Sequence, residues 1–214
     1  MKIEAVLFDL DGTLVDSIPI YKKAFEETLR TFGFSFTTEE FNDVYWNNRK
    51  LSVLLPTLGA GHLEPVIRKH RDDLYIRRLG EQVEWFEDAK ALLSCMDRTI
   101  PKAIVTDSWR SFVHAIERRA DLSAITSTII AADDCRPYEK PHPHGLLMAA
   151  ERLGVAPENC IYVGDQDFDM HAARAAGMTG ILIPRTYTPP HACADASHVI
   201  QSLEELPNLS ARTK

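Results

Sequence analysis

The run Ile3-Glu4-Ala5-Val6-Leu7-Phe8-Asp9-Leu10-Asp11-Gly12-Thr13 joins a short apolar segment directly to two carboxylates separated by one residue. A brief apolar run bounded by turn chemistry reads as a strand buried on both faces. The acids then fall where the chain leaves the sheet, and in open parallel sheets that edge is where ligands bind. Two carboxylates this close repel each other, so the pair needs a cation, or a proton on one member. Mg2+ suits that need, because it takes a few carboxylates together with waters and phosphate oxygens. A simple turn after a strand would account equally well for Asp11-Gly12. The pair therefore gains its meaning from what lies at the other strand ends.

Working outward, short apolar runs recur after helical patterns at Ala103 to Val105, Thr128 to Ala132, Cys160 to Val163 and Gly180 to Ile183. Between them Leu92, Leu93 and Met96, then Phe112, Val113 and Ile116, then Leu146, Ala150 and Leu153 fall on single helix faces. Alternating strand and helix predicts an α/β fold, a doubly wound, Rossmann-like parallel sheet. The rhythm fails between about Asp16 and Trp85, where only helical stripes occur: Tyr21, Ala24, Phe25, Thr28, Leu29 and Phe32, then Leu63, Val66, Ile67 and Leu74. A small helical domain spanning 16–85 is thus expected, inserted into a core made of 1–15 and 86–214. Ser17 and Pro19 offer an N-cap and an early-helix proline at its start, and Gly59 and Gly61 flank a break within it.

Three further strand ends carry reactive groups. Ile104-Val105 leads to Thr106-Asp107-Ser108, where a hydroxyl and the amides of a helix start suit phosphoryl oxygens, although an ordinary N-cap has the same composition. Lys140-Pro141 offers an ammonium that would otherwise be a solvated surface group. Tyr162-Val163 leads to Gly164-Asp165-Gln166-Asp167-Phe168-Asp169, where Asp165 and Asp169, four residues apart, can face one pocket.

The ordered set D-x-D-G-T, strand-end threonine, K-P and G-D-x-x-x-D resembles the haloacid dehalogenase superfamily of phosphohydrolases, in its capped, phosphoglycolate-phosphatase-like subgroup. The resemblance spans the chain and includes Asp11-Gly12-Thr13-Leu14-Val15-Asp16-Ser17 and Ala172-Ala173-Arg174-Ala175-Ala176-Gly177. It implies that Asp9 is the nucleophile and Asp11 the general acid and base. It also implies that Asp9 and Asp165, with the Asp11 carbonyl, hold Mg2+, and that Asp169 is an outer ligand or orients Lys140. Thr106 and the Asp107 amide would bind the phosphoryl group, with Lys140 offsetting its charge. Two departures stand out: Gln166 occupies a position where serine is common, and Phe86-Glu87-Asp88 replaces a proline-glycine pair. Neither is expected to carry the core chemistry. In capped members specificity resides on the cap, and Trp46-Asn47-Asn48-Arg49-Lys50 is the segment singled out. Asn48, Arg49 and Lys50 there could grip a second anionic group of the substrate.

Bulk properties set the outer limits. The 214 residues are 45% apolar and 26% charged, with 24 basic against 31 acidic residues. That length buries a core without staples, and the net charge of −7 disfavours nucleic acid and anionic membranes as partners. The N-terminus lacks a signal pattern, so a cytoplasmic monomer or homodimer acting on a small phosphorylated metabolite is expected. Cys95, Cys135, Cys160 and Cys193 are scattered without a C-x-x-C pair, which suggests neither zinc nor a disulfide framework. Pyrophosphatase, nucleotidase, sugar phosphatase and phosphosugar mutase activities would use the same Asp9 and Asp11. A receiver domain would place its phosphorylated aspartate on a later strand, and a silent phosphate-binding module would not require the full reactive set.

Overall fold

The computed structural model describes residues 3–46, 51–97 and 99–207. Its centre is a six-stranded, wholly parallel sheet in the order β3-β2-β1-β4-β5-β6. The strands are β1 (Ala5–Phe8), β2 (Lys102–Val105), β3 (Ile129–Ile130), β4 (Cys160–Gly164), β5 (Thr179–Leu182) and β6 (His198–Val199). From β1 the chain winds outward through β2 and β3, then returns to pair β4 with the opposite side of β1, Phe8 lying beside both Ile104 and Val163. Such a reversal of direction opens a crevice at the carboxyl ends of the strands.

The helices are α1 (Ile18–Thr31), α2 (Thr38–Trp46), α3 (Leu51–Thr57), α4 (Glu64–Gln82), α5 (Glu87–Cys95), α6 (Arg110–Glu117), α7 (Ala132–Cys135), α8 (His144–Leu153) and α9 (Asp167–Ala175). Because strand side chains alternate, Val6 and Phe8 face a cluster with Leu92, Phe112 and Ile116, while Ala5 and Leu7 face one with Leu146, Ala149 and Ala172. Helices thus cover both faces of the sheet, which explains strands that are apolar throughout. A third cluster, with Phe25, Leu29, Phe41, Leu55 and Ile67, lies within the helical segment α1 to α4. The chain enters and leaves that segment at adjacent points: Val15 bridges Trp85 antiparallel, the Asp16 amide donates to the Glu84 carbonyl at 2.9 Å, and the Phe86 amide donates to the Leu14 carbonyl at 3.0 Å.

Several expectations need correction. Ser17 precedes α1 but does not cap it with its side chain; the hydroxyl goes instead to Asp11 at 2.6 Å. Val66 is exposed, and the buried face of α4 is Ile67, Arg71, Leu74, Tyr75 and Leu79. The apolar run at Thr128 to Ala132 yields only a two-residue strand, since α7 begins at Ala132. β6 has no apolar run to announce it, as both of its residues are exposed. The cysteines are all free, Cys135 and Cys160 buried and Cys95 and Cys193 exposed. Among the described residues no helix is long and apolar enough to cross a membrane.

Candidate active site

Asp9 follows β1 directly, its amide donating to the Val163 carbonyl at 2.8 Å, so the central strand fixes the carboxylate at the crevice. The chain then folds back on itself, the amides of Leu14 and Val15 both donating to the Leu10 carbonyl, at 2.9 and 3.1 Å. Gly12 makes this possible in two ways. Its φ of 80° lies in the left-handed region, and a Cβ there would sit 2.8 Å from Asp165 Oδ2.

Lys140 is buried beside Asp9. Its Nζ donates to Asp9 Oδ1 at 2.6 Å, to Asp169 Oδ1 at 2.7 Å and to the Tyr162 hydroxyl at 3.0 Å, which uses all the donors an ammonium has. Burial works against its charge, but Asp169 and then Asp9 outweigh burial and hold its pKa well above the usual lysine value. The Asp107 carboxylate accepts from the Lys140 main-chain amide at 3.2 Å and so anchors the lysine from behind. Burial raises the Asp107 pKa despite the nearby ammonium.

Asp169 serves two groups at once. One oxygen takes the Lys140 ammonium, and Oδ2 accepts from the Gln166 amide at 3.0 Å, closing the first turn of α9. Gly164 leaves room for it, because a Cβ at that position would lie 2.5 Å from the Asp169 side chain. Thr13 Oγ1 stands 3.1 Å from Asp165 Oδ1 and 3.4 Å from Asp9 Oδ2, so its one proton is within reach of either acid.

Asp9, Asp165 and Asp169 each offer a carboxylate oxygen, these atoms lying within 4.8 Å of one another, and all three residues are buried. Burial, with Asp169 and Asp165 adding repulsion, raises the Asp9 pKa well above the carboxylate range even against Lys140. Asp165 is pushed up to about 7, first by burial and then by Asp169. Fully ionised, three buried acids around one ammonium leave negative charge uncompensated, which protons or a divalent cation would balance. The oxygen-only donor set fits a hard cation such as Mg2+, and the backbone at Gly12 passes close enough to Asp165 that only a residue without Cβ is accommodated.

Asp11, two residues on, has a different setting. Its Oδ1 accepts from Ser17 at 2.6 Å and from the Tyr75 hydroxyl at 3.4 Å, and its Oδ2 from Ser108 at 2.7 Å and Thr106 at 3.3 Å. Among the described residues this carboxyl meets hydroxyls and no ion-pair partner. Both acids open onto a cavity of about 700 Å³, bounded on the sheet side by Thr106 and Lys140 and on the helical side by Tyr45 and Arg71. Arg71 is buried, held by Asp72 and by the Tyr21 hydroxyl at 2.8 Å.

The structure thus brings together Asp9, Asp11, Thr106, Asp107, Lys140, Asp165 and Asp169; Asp9, Thr106 and Asp165 stand at strand ends as expected, whereas Lys140, expected beyond a strand as well, lies in the connection between α7 and α8, where the chain forms no strand. Asn48, Arg49 and Lys50 lie outside the described residues. The sequence reading missed Tyr162, hidden in an apolar strand, and Tyr75 and Ser17, whose approach to Asp11 depends on how the helical segment sits on the sheet.

Residues 6–183 match the haloacid dehalogenase-like hydrolase family. A phosphoglycolate phosphatase of Xanthomonas campestris pv. campestris (strain 8004) is 32% identical over 183 residues, covering 83% of this chain and 81% of that one. Pyrophosphatase PpaX of Oceanobacillus iheyensis is 31% identical over 179 residues, covering 83% and 82%. The crystal structure of a HAD family hydrolase from Deinococcus radiodurans R1, with bound phosphate and sodium, superposes with a TM-score of 0.77 at 27% identity, covering 98% of this chain and 96% of that one. With a family match over most of its length and phosphatases among its relatives, the chain belongs to the haloacid dehalogenase-like hydrolases, among their phosphatases.

Proposed function

We propose that this phosphatase is magnesium-dependent and cleaves a small phosphorylated metabolite through an aspartyl-phosphate on Asp9. The observation that carries this reading is the contrast between two neighbouring acids. Asp9 sits among buried carboxylates beside Lys140, whereas Asp11 is held by hydroxyls at the cavity wall. In the first step a carboxylate oxygen of Asp9 attacks phosphorus, the bond to the leaving oxygen breaks, and Asp11 gives that oxygen its proton. In the second, Asp11 takes a proton from the water that attacks the same phosphorus, which frees Asp9 and releases inorganic phosphate. Thr106 and the Asp107 amide hold the phosphoryl oxygens, and the Lys140 ammonium beside Asp9 offsets their charge. Asp9, Asp165 and the Asp11 carbonyl would hold Mg2+, with Asp169 as an outer ligand or orienting Lys140, and its positive charge would offset repulsion between Asp9 and an anionic substrate.

Residues 16–85 serve as a cap on a core of 1–15 and 86–214, which the adjacent crossing points at Val15 and Trp85 support. The cap would exclude water and select the substrate, with Asn48, Arg49 and Lys50 as contacts. A phosphoglycolate-like substrate is the first choice because several relatives carry that name; pyrophosphate is the second, from the named pyrophosphatase. The protein would act in the cytoplasm as a monomer or homodimer.

The test is phosphate release from phosphoglycolate, pyrophosphate, nucleoside monophosphates and sugar phosphates, with magnesium and with chelator. One dominant substrate whose turnover falls by at least about 100-fold on chelation is expected. Turnover indifferent to chelation would rule out the magnesium requirement.

A further inference from the structure

Gln166 directly follows Asp165 and is 1% exposed. Its Nε2 donates to Asp165 Oδ2 and, at 3.3 Å, to the main-chain carbonyl of Tyr187. Two acceptors on one nitrogen fix which end of the amide is which. The same Tyr187 carbonyl accepts from the Trp46 indole, at the end of α2, at 2.8 Å. The Tyr187 ring packs edge-on against Phe41 and Tyr45 of that helix, with centroids 6.0 and 6.3 Å away. At the base of this segment Arg185 donates to the Thr13 carbonyl at 3.2 Å and pairs with Asp88 at 2.8 Å, which pins the loop beside β1. One carbonyl oxygen therefore joins a carboxylate of the acid cluster to the helical insertion.

We propose that Gln166 is a positioning residue that couples Asp165 to α2 through the Tyr187 carbonyl. A serine in this place has a single proton and can serve one acceptor, whereas the glutamine amide has two and serves both. Motion of α2 that withdraws Trp46 changes the demand on the Tyr187 carbonyl, and with it the hold of Gln166 on Asp165. Coupling of this kind is reciprocal: an ion that fixes Asp165 also steadies the Trp46 end. Gln166 Oε1 is buried at the cavity with no partner among the described residues, so the amide is not locked by a further bond.

This inference rests on the magnesium reading, and calorimetric titration with Mg2+ alone separates the two. The wild type, Gln166→Leu, Trp46→Phe and the double variant form a cycle, with Asp165→Asn as the control for the ion site. Gln166→Leu should weaken Mg2+ binding about tenfold or more, as losses of an outer-shell partner do. Trp46→Phe should weaken it about fivefold, although its ring lies in the helical insertion. The double variant should bind no worse than Gln166→Leu. Gln166→Ser, a smaller polar change that preserves folding if leucine does not, should show the same loss of coupling. With 5-fluorotryptophan incorporated, the 19F resonance assigned by its loss in Trp46→Phe should shift with Mg2+ in the wild type and not in Gln166→Leu. Mg2+ affinity within twofold of wild type in both Gln166 variants, or single effects that multiply in the double variant, would overturn the coupling alone. A wild type that binds Mg2+ no better than Asp165→Asn would overturn the magnesium reading and the coupling with it.

Discussion

At the scale of single residues, the site is a cluster of buried charges held together by one cation. Lys140 is the sole ammonium among Asp9, Asp165 and Asp169 within the described residues, and it contacts two of them. Removing one member of a buried, hydrogen-bonded set leaves its partners unpaired. Lys140→Ala is therefore expected to destabilise the protein by about 3–5 kcal/mol at neutral pH, as read from urea denaturation. A change below about 1 kcal/mol would mean that the carboxylates are solvated more than their burial implies. Asp165 gives a pH dependence. In the metal-free fold it keeps its proton up to about 7, against an ordinary 3.8. Between those values the unfolded chain binds fewer protons than the native one, so this group's contribution to metal-free stability falls as pH rises through that window. Magnesium competes with the same proton, so the rise in Tm with saturating Mg2+ should be larger near pH 8 than near pH 6 on the order of the proton competition. Equal increments at both would contradict the assignment of Asp165 as a ligand.

At the scale of elements, several of the candidate site residues stand at strand ends, and that is what makes them legible in the sequence. Asp9, Thr106 and Asp165 each follow directly on an apolar run, so strand assignment and residue type together placed them on one edge of the sheet. Lys140 lies between α7 and α8 with no strand to announce it, and only the motif order singled it out. The partners that the sequence concealed are those that arrive across the fold. Tyr162 sits among residues whose apolar neighbours suggest core packing alone, yet its hydroxyl accepts from Lys140. Tyr75 was one position beyond the expected stripe on α4, and Ser17 had a plausible local use as an N-cap. Gly164 shows how tightly β4 and α9 are joined, because a Cβ would come within 2.5 Å of Asp169. Gly164→Ala should cost about 1–3 kcal/mol by forced displacement of Asp169. Its crystal structure or Tm would check this, and an unchanged Tm would show that α9 yields without strain.

At the scale of the whole molecule, a parallel sheet with a reversal beside β1 creates the crevice, and residues of the helical segment α1 to α4 that follows β1 line the cavity there. The break in the strand-helix rhythm marks this helical run in the sequence, through one stripe from Tyr21 to Phe32, within the span of α1 plus one residue, and another from Leu63 to Leu74 on α4. What remained hidden was how the insertion meets the core: Arg71 buried at the cavity, and Tyr187 reaching from beyond β5 into an aromatic cluster of the insertion. Such contacts depend on elements distant in sequence and leave no local period.

The central claim is that Asp9 forms the covalent bond to phosphorus. Its most direct test is phosphate release by rigorously purified Asp9→Asn, compared with wild type on the dominant substrate at saturating Mg2+. Circular dichroism and Tm would establish that the variant is folded, since asparagine keeps the shape of the side chain. The account predicts a fall in kcat of about 1,000-fold or more, because the amide cannot act as the nucleophile. A folded Asp9→Asn variant turning over within about tenfold of wild type would contradict it.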